Sequence, residues 1–175
     1  MNKEKFMSVK EMFPVLADES NINRYLNFIK VDDLRLFTEE CLKKADYKIT
    51  EYENKVAEIA MDFLIRKELL TPDNHQTYVD ALLVAAMLHN VYFDEKHLMT
   101  SLFKAREEFD EIAGREGIYK YGPLPEQMRE MVWDTIEGQL GDCTPMSKTK
   151  PSPNSPQDLF ATSVWIVRNA KHWFH

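Results

Sequence analysis

From Leu82 to Leu88 every residue is apolar, and the run stops abruptly at His89 and Asn90. A segment with no polar face has no side to turn to water, so it belongs inside the molecule. Nothing in the chain approaches the roughly 20 apolar residues of a membrane span. The run is therefore read as the buried central helix of a water-facing domain. Its end is the informative part: two side chains with ligating atoms sit where burial is costly unless they are satisfied.

The surrounding sequence also reads as helix. The chain has five glycines, none before Gly114, and apolar residues recur every three or four positions. Val9, Met12, Phe13 and Leu16 suggest a short first helix, stopped near Pro14. Ser20 is placed to cap a second, with Ile22, Tyr25, Leu26 and Ile29 on one face. Asp32 or Asp33 opens a third through Leu34, Phe37, Cys41 and Leu42. Thr50-Glu-Tyr-Glu53 has the form of a capping box. It starts a long helix whose expected inner face is Tyr52, Val56, Ile59, Ala60, Phe63 and Leu64.

Thr71-Pro-Asp-Asn74 ends that helix, and the central one spans about Gln76 to Asn90. Asp94 caps a helix carrying Leu98, Leu102, Ala105, Phe109 and Ile112. Gly114 to Pro125 reads as a loop, followed by a helix with Met128, Met131, Val132, Thr135 and Ile136. Asp142 to Ser155 reads as a mobile flap, and Ser155-Pro-Gln-Asp158 opens a last helix through Phe160, Ser163 and Val164. The expectation is an all-α fold, a single compact domain of six to eight helices. Residues 1–48 form a helical extension packed on a core of residues 49–175.

The formal net charge of −7 argues against a general nucleic-acid binder, which needs a basic face for phosphates. Cys41 and Cys143 form no CxxC pair, which suits two free thiols in a reducing compartment. Residues 1–6 carry positive charge but no apolar stretch follows, so no signal peptide is expected. The expected location is the cytoplasm, away from membranes.

The segment 82–90, Leu-Leu-Val-Ala-Ala-Met-Leu-His-Asn, resembles the signature helix of the HD-domain superfamily. These are metal-dependent phosphohydrolases in which an Ala-Ala-Leu-Leu-His-Asp-like segment supplies the central metal ligands. The resemblance runs from about Thr50 to the C-terminus. It implies a histidine on an early helix, the His-Asp pair and an aspartate on a late helix. Position by position, the early histidine is replaced by Tyr52 and the pair reads His89-Asn90. In Val164-Trp-Ile-Val-Arg-Asn-Ala-Lys171, Asn169 stands nearest the late aspartate. Glu137 and Gln139 stand where many relatives have further histidines.

Of the four ligand positions only His89 keeps its residue type. A neutral carboxamide is a weak ligand for a hard cation. The resemblance thus implies a catalytically weak or inactive HD-like protein, with no metal expected. Its degenerate pocket would be formed by Tyr52, His89, Asn90, Arg168 and Asn169. Arg168 would stand in for the metal's charge and favour a nucleotide or other phosphorylated ligand, or else the partner is a protein. One alternative is an active phosphohydrolase that binds Mn, Ni or Mg through His89, Asp94 and His97. Another is a helical interaction protein unrelated to these enzymes. Its candidate anchors are Trp165, Trp173, Phe174, Tyr119, Tyr121 and Trp133, with a homodimer formed through the N-terminal helices. A small domain with a degenerate site would also suit a phage or mobile element.

Each polar group has a simpler reading as well. His89 suits the negative end of a helix, and Asn90 suits its C-cap. Asp94 and Glu95 suit the start of the next helix. Glu107, Glu108, Asp110 and Glu111 form a solvated face around Phe109, and Asp134 with Glu137 a surface pair. No Gly-rich phosphate loop, Ser-His-Asp arrangement or zinc-type Cys/His cluster is found.

Overall fold

The computed structural model describes residues 7–73, 77–92 and 102–138, together with Phe160, Ser163 and Val164. Among them are seven α-helices and one 3-10 turn, with no strand. They are α1 (Val9–Met12), the 3-10 turn (Pro14–Ala17), α2 (Arg24–Asn27), α3 (Asp32–Lys44), α4 (Glu51–Arg66), α5 (Thr77–Tyr92), α6 (Leu102–Ala113) and α7 (Glu126–Gly138). Phe160, Ser163 and Val164 are helical and buried. The expected second segment is helical for one turn only. Ser20 bonds to Asp18 instead of capping α2, and Ile22 stays partly exposed. The stretches 94–101 and 139–159 lie outside the described residues, as do 165–175.

The central run behaves as its composition requires. Every residue from Val79 to His89 is buried, and α5 packs against α7, α4 and α3. Asp80 is the polar exception near its start. Its carboxylate accepts the backbone N–H groups of Lys30 (2.9 Å) and Val31 (3.0 Å), fixing the entry to α3 against α5. A carboxylate with several charge-assisted bonds can tolerate such burial.

α4 begins with the capping box read from the sequence, formed by Thr50 and Glu53. Its buried face differs from the expected one. Val56, Ala57, Ala60, Met61, Leu64 and Ile65 are enclosed, while Tyr52, Ile59 and Phe63 are only half-buried. The reason is that α4 is covered from two directions, by α5 and by the segments containing α1 and α2. The second contact is polar. Glu51, Asn54, Glu58 and Asp62 recur at helical spacing and bind, in order, the Arg24 guanidinium, the Ile22 carbonyl, Lys10 and the Val9 N–H.

The lack of early glycine leaves a mark at two helix ends. Asp46 and Glu68 take left-handed backbone conformations, with φ of 50° and 59°. Next to them, Tyr47 N–H bonds to Leu42 O (3.0 Å) and Leu69 N–H to Leu64 O (2.9 Å). These six-to-one bonds close α3 and α4 in the manner usually served by glycine.

An aromatic cluster joins α3, α5, α6 and α7. Phe109 meets Phe37 edge-on at 4.9 Å and Trp133 at 5.1 Å, and Tyr92 lies 6.0 Å from both Phe109 and Trp133. The Arg106 guanidinium lies over the Phe109 and Trp133 rings and is held by Asp110 and Glu130. The loop after α6 is pinned by Tyr119, whose hydroxyl donates to Ile112 O at 2.6 Å. Asp33 also accepts the N–H groups of Lys120 and Tyr121. Among the described residues, no helix is long and apolar enough to cross a membrane.

Candidate functional site

The polar end of α5 meets the start of α4. His89 is 0% exposed, and its Nδ1 lies 2.8 Å from Ala86 O. A carbonyl can only accept, so Nδ1 carries the proton in this contact. The Tyr52 ring lies against the imidazole at 5.5 Å, tilted by 35°. Phe160 meets it edge-on at 5.6 Å. The histidine thus sits between a tyrosine of α4 and a phenylalanine from the last helical segment.

Asn90 does not end the helix: α5 continues to Tyr92. The C-cap reading is corrected accordingly, because Val91 and Tyr92 still pack on the core and carry the helix onward. The Asn90 side chain instead faces Glu53, with Nδ2 at 3.4 Å from Oε2. Glu53 is 0% exposed. Its carboxylate accepts from the Tyr47 hydroxyl (2.7 Å), from Thr50 N–H (3.2 Å) and from the Thr50 hydroxyl (3.0 Å). Burial, followed by the neighbouring Glu53 carboxylate, pushes the Tyr47 hydroxyl up to about 12. The phenol therefore stays a donor across the physiological range.

The structure brings Tyr52, His89 and Asn90 together. Arg168 and Asn169 lie outside the described residues, as do Asp94 and His97 of the alternative ligand set. Sequence reasoning missed Tyr47, Glu53 and Phe160 as neighbours. Glu53 had a signal, since a capping glutamate one residue from Tyr52 sits beside the same pocket, but its capping role was explanation enough. Tyr47 precedes the helix and carried no periodic signal.

The described residues around His89 do not fit a divalent ion. They offer one imidazole, a carboxamide and a phenol, and the Glu53 oxygens are already engaged by four donors. No group of three or more His, Cys, Asp or Glu among the described residues is arranged to hold a metal. What the arrangement can do chemically is hold α4 to α5 through a buried carboxylate and its donors.

Elsewhere, an open depression of about 620 Å³ runs along α7, lined by Glu126, Gln127, Glu130, Met131 and Asp134. Tyr119 and Trp133 are buried, while Tyr121 is 83% exposed. Glu107, Glu108 and Glu111 are exposed around the buried Phe109, as expected, while Asp110 is half-buried and holds Arg106. Asp134 is exposed too; the Glu137 side chain lies outside the described residues. No protein-family model, no curated protein and no solved structure matches this chain.

Proposed function

We propose that the chain is a non-hydrolysing HD-like helical protein that works by binding a protein partner. One observation carries this reading: the His89-Asn90 end of α5 is closed by the protein's own side chains. Tyr52 and Phe160 cover the imidazole, and Glu53, held by Tyr47, takes up Asn90. A metal-dependent phosphohydrolase needs open coordination positions for water and phosphate. This end of the helix has become a packed joint instead. The net charge of −7 suits a partner with a basic face.

A second reading is favoured by a specific contact. Phe160 against His89 brings the last described helical segment to the pocket, and Arg168, eight residues further along the sequence, is the residue this reading assigns to a nucleotide or other phosphorylated ligand. The enclosed Glu53 carboxylate weighs against an anion at that place.

The test measures metal content, thermal shift with Mn²⁺, Ni²⁺ and Mg²⁺, and hydrolysis of a nucleotide panel. The expected result is no bound metal, no metal-dependent stabilisation and no turnover. Stoichiometric metal with hydrolysis lost in His89→Gln would overturn the reading. Nucleotide binding without hydrolysis, lost in Arg168→Ala, would replace it with the phosphorylated-ligand reading.

A further inference from the structure

Residues 7–28 are ordered largely by links among themselves. Their elements are α1, the 3-10 turn and α2, each of four residues, and helices so short have little stability apart from what they pack on. The Phe13 ring, at the end of α1, meets the Phe28 ring, at the end of α2, at 4.9 Å. Lys10 reaches Glu19 at 3.7 Å. The Arg24 guanidinium, 4% exposed, donates through Nε to Leu16 O and through Nη1 to Asn21 O, both at 3.1 Å. Among the described residues, no backbone–backbone bond of this segment reaches α3 or beyond.

The segment is tied to α4 by a row of polar contacts. Val9 N–H donates to Asp62 Oδ1 at 2.7 Å, Lys10 pairs with Glu58 at 3.4 Å and Asn54 Nδ2 donates to Ile22 O at 2.9 Å. Arg24 completes the row, with Nη1 and Nη2 on the two Glu51 oxygens at 3.0 and 2.8 Å. α2 also packs on α3 and α5, but the apolar anchorage is thin. Of residues 7–28 only Val9, Leu16, Tyr25 and Leu26 bury apolar side chains, whereas every residue from Val79 to His89 is buried. A region with few buried apolar contacts opens at lower free energy than a core helix. The chain is fastened again just beyond. Asp80 of α5 accepts the N–H groups of Lys30 and Val31, and Arg35 donates to Ile29 O at 3.2 Å.

We propose that residues 7–28 form a strap that opens and recloses as one unit about Ile29 to Val31, latched on Glu51 by Arg24, while α3 to α7 stay folded. Arg24 is the latch because one guanidinium both folds the strap on itself and fastens it to α4. Opening frees the Glu51, Glu58 and Asp62 carboxylates along one face of α4 from their partners. This inference is independent of the proposed function.

Native-state hydrogen exchange on the full chain, at urea concentrations below the unfolding transition, tests it. The N–H groups of Met12, Phe13, Leu16 and Asn27 should share one exchange free energy and one shallow urea dependence. Their protection should lie at least about 100-fold below that of Leu83 to Met87. Protection equal to that of α5, with the same urea dependence, overturns the proposal, because the strap then opens only with the whole molecule. Unrelated urea dependences at the four positions overturn it as well. Asp62→Ala removes the tie at the Val9 end and leaves Arg24 in place. Asn27, at the far end, should then exchange faster by the same factor as Phe13; acceleration confined to residues 9–13 overturns the single unit. Arg24→Lys keeps the charge but cannot span Leu16 O, Asn21 O and both Glu51 oxygens. It should speed exchange at Met12 and Asn27 alike, by at least about tenfold, and unchanged exchange at Met12 overturns Arg24 as the latch.

Discussion

Replacing Glu53 by alanine removes the carboxylate that joins the start of α4 to the end of α5. Three separate losses follow. The reciprocal half of the Thr50 capping box disappears, and a lost cap costs about 1 kcal/mol. The Tyr47 hydroxyl loses a charged acceptor at 2.7 Å, and hydrogen bonds to charged groups contribute about 1.5–3 kcal/mol. Tyr47 is only half-buried, so water can replace part of that bond and the lower end applies. The Asn90 contact at 3.4 Å is long and adds little. Together the loss is about 3 kcal/mol, which for a domain of this size lowers the melting temperature by roughly 6–12 °C. Urea unfolding gives the free energy and thermal circular dichroism the midpoint. Tyr47→Phe should cost about 1 kcal/mol, the single charged bond partly replaced by water, and Asn90→Ala less. A loss below about 1 kcal/mol for Glu53→Ala would refute the claim that this carboxylate holds the joint.

Four further outcomes are expected. Glu68→Gly relieves a left-handed backbone at φ 59° and should stabilise the protein by about 0.5–1 kcal/mol; urea titration checks it, and destabilisation would contradict it. The Arg24 guanidinium beside Glu51 holds its carboxyl below the usual value of 4.5. Its contribution is therefore complete above 4.5 and lost as pH falls through the lower folded value. Glu51→Gln should accordingly be less stable than the wild type at neutral pH, with the difference closing in acid melts. Asp33→Ala frees the Lys120 and Tyr121 N–H groups; hydrogen exchange at both should accelerate, at a cost of about 1–2 kcal/mol. Burial pushes the Cys41 thiol up to about 12, so in a Cys143→Ser background a disulfide reagent at pH 8 should label it only on unfolding.

The all-helical fold was legible because its signals are local. Apolar spacing and the Thr50 capping box each act within one or two turns, and α3, α4 and α5 start close to where those signals put them; the break at Thr71 does not set the end of α4, which closes at Arg66. The buried face of α4 was legible only in part: Val56, Ala60 and Leu64 are buried as their spacing implies, while Ala57, Met61 and Ile65 join them. The sequence has one apolar stripe around Val56, Ala60 and Leu64, and the second covering layer is polar, built from Glu51, Asn54, Glu58 and Asp62. Such residues look like a solvated face until Arg24, Lys10 and the backbone of Ile22 and Val9 arrive from far along the chain. The ends of α3 and α4 were equally obscure, because Asp46 and Glu68 occupy positions that sequence reasoning reserves for glycine.

On the function proposed above, the His89-Asn90 pair carries a motif without its metal chemistry. A helix buried along its length must end somewhere, and its first polar residues arrive while it is still inside the protein. Those residues need partners whether or not they do chemistry. An HD metal site and a packed joint therefore begin from the same pattern, an apolar run closed by histidine and a short polar residue. What separates them is the identity of the partners. In a metal site the surrounding helices bring lone pairs that remain available to an ion. Here α4 brings Tyr52, whose ring lies against the imidazole, and Glu53, whose oxygens are taken by Thr50, Tyr47 and Asn90. The change of the expected aspartate to Asn90 fits that second arrangement, since a carboxamide can donate to Glu53 where an ionised carboxylate would repel it. Asn90→Asp is the substitution nearest to the HD pattern, yet on this argument it destabilises the joint at neutral pH and creates no metal centre.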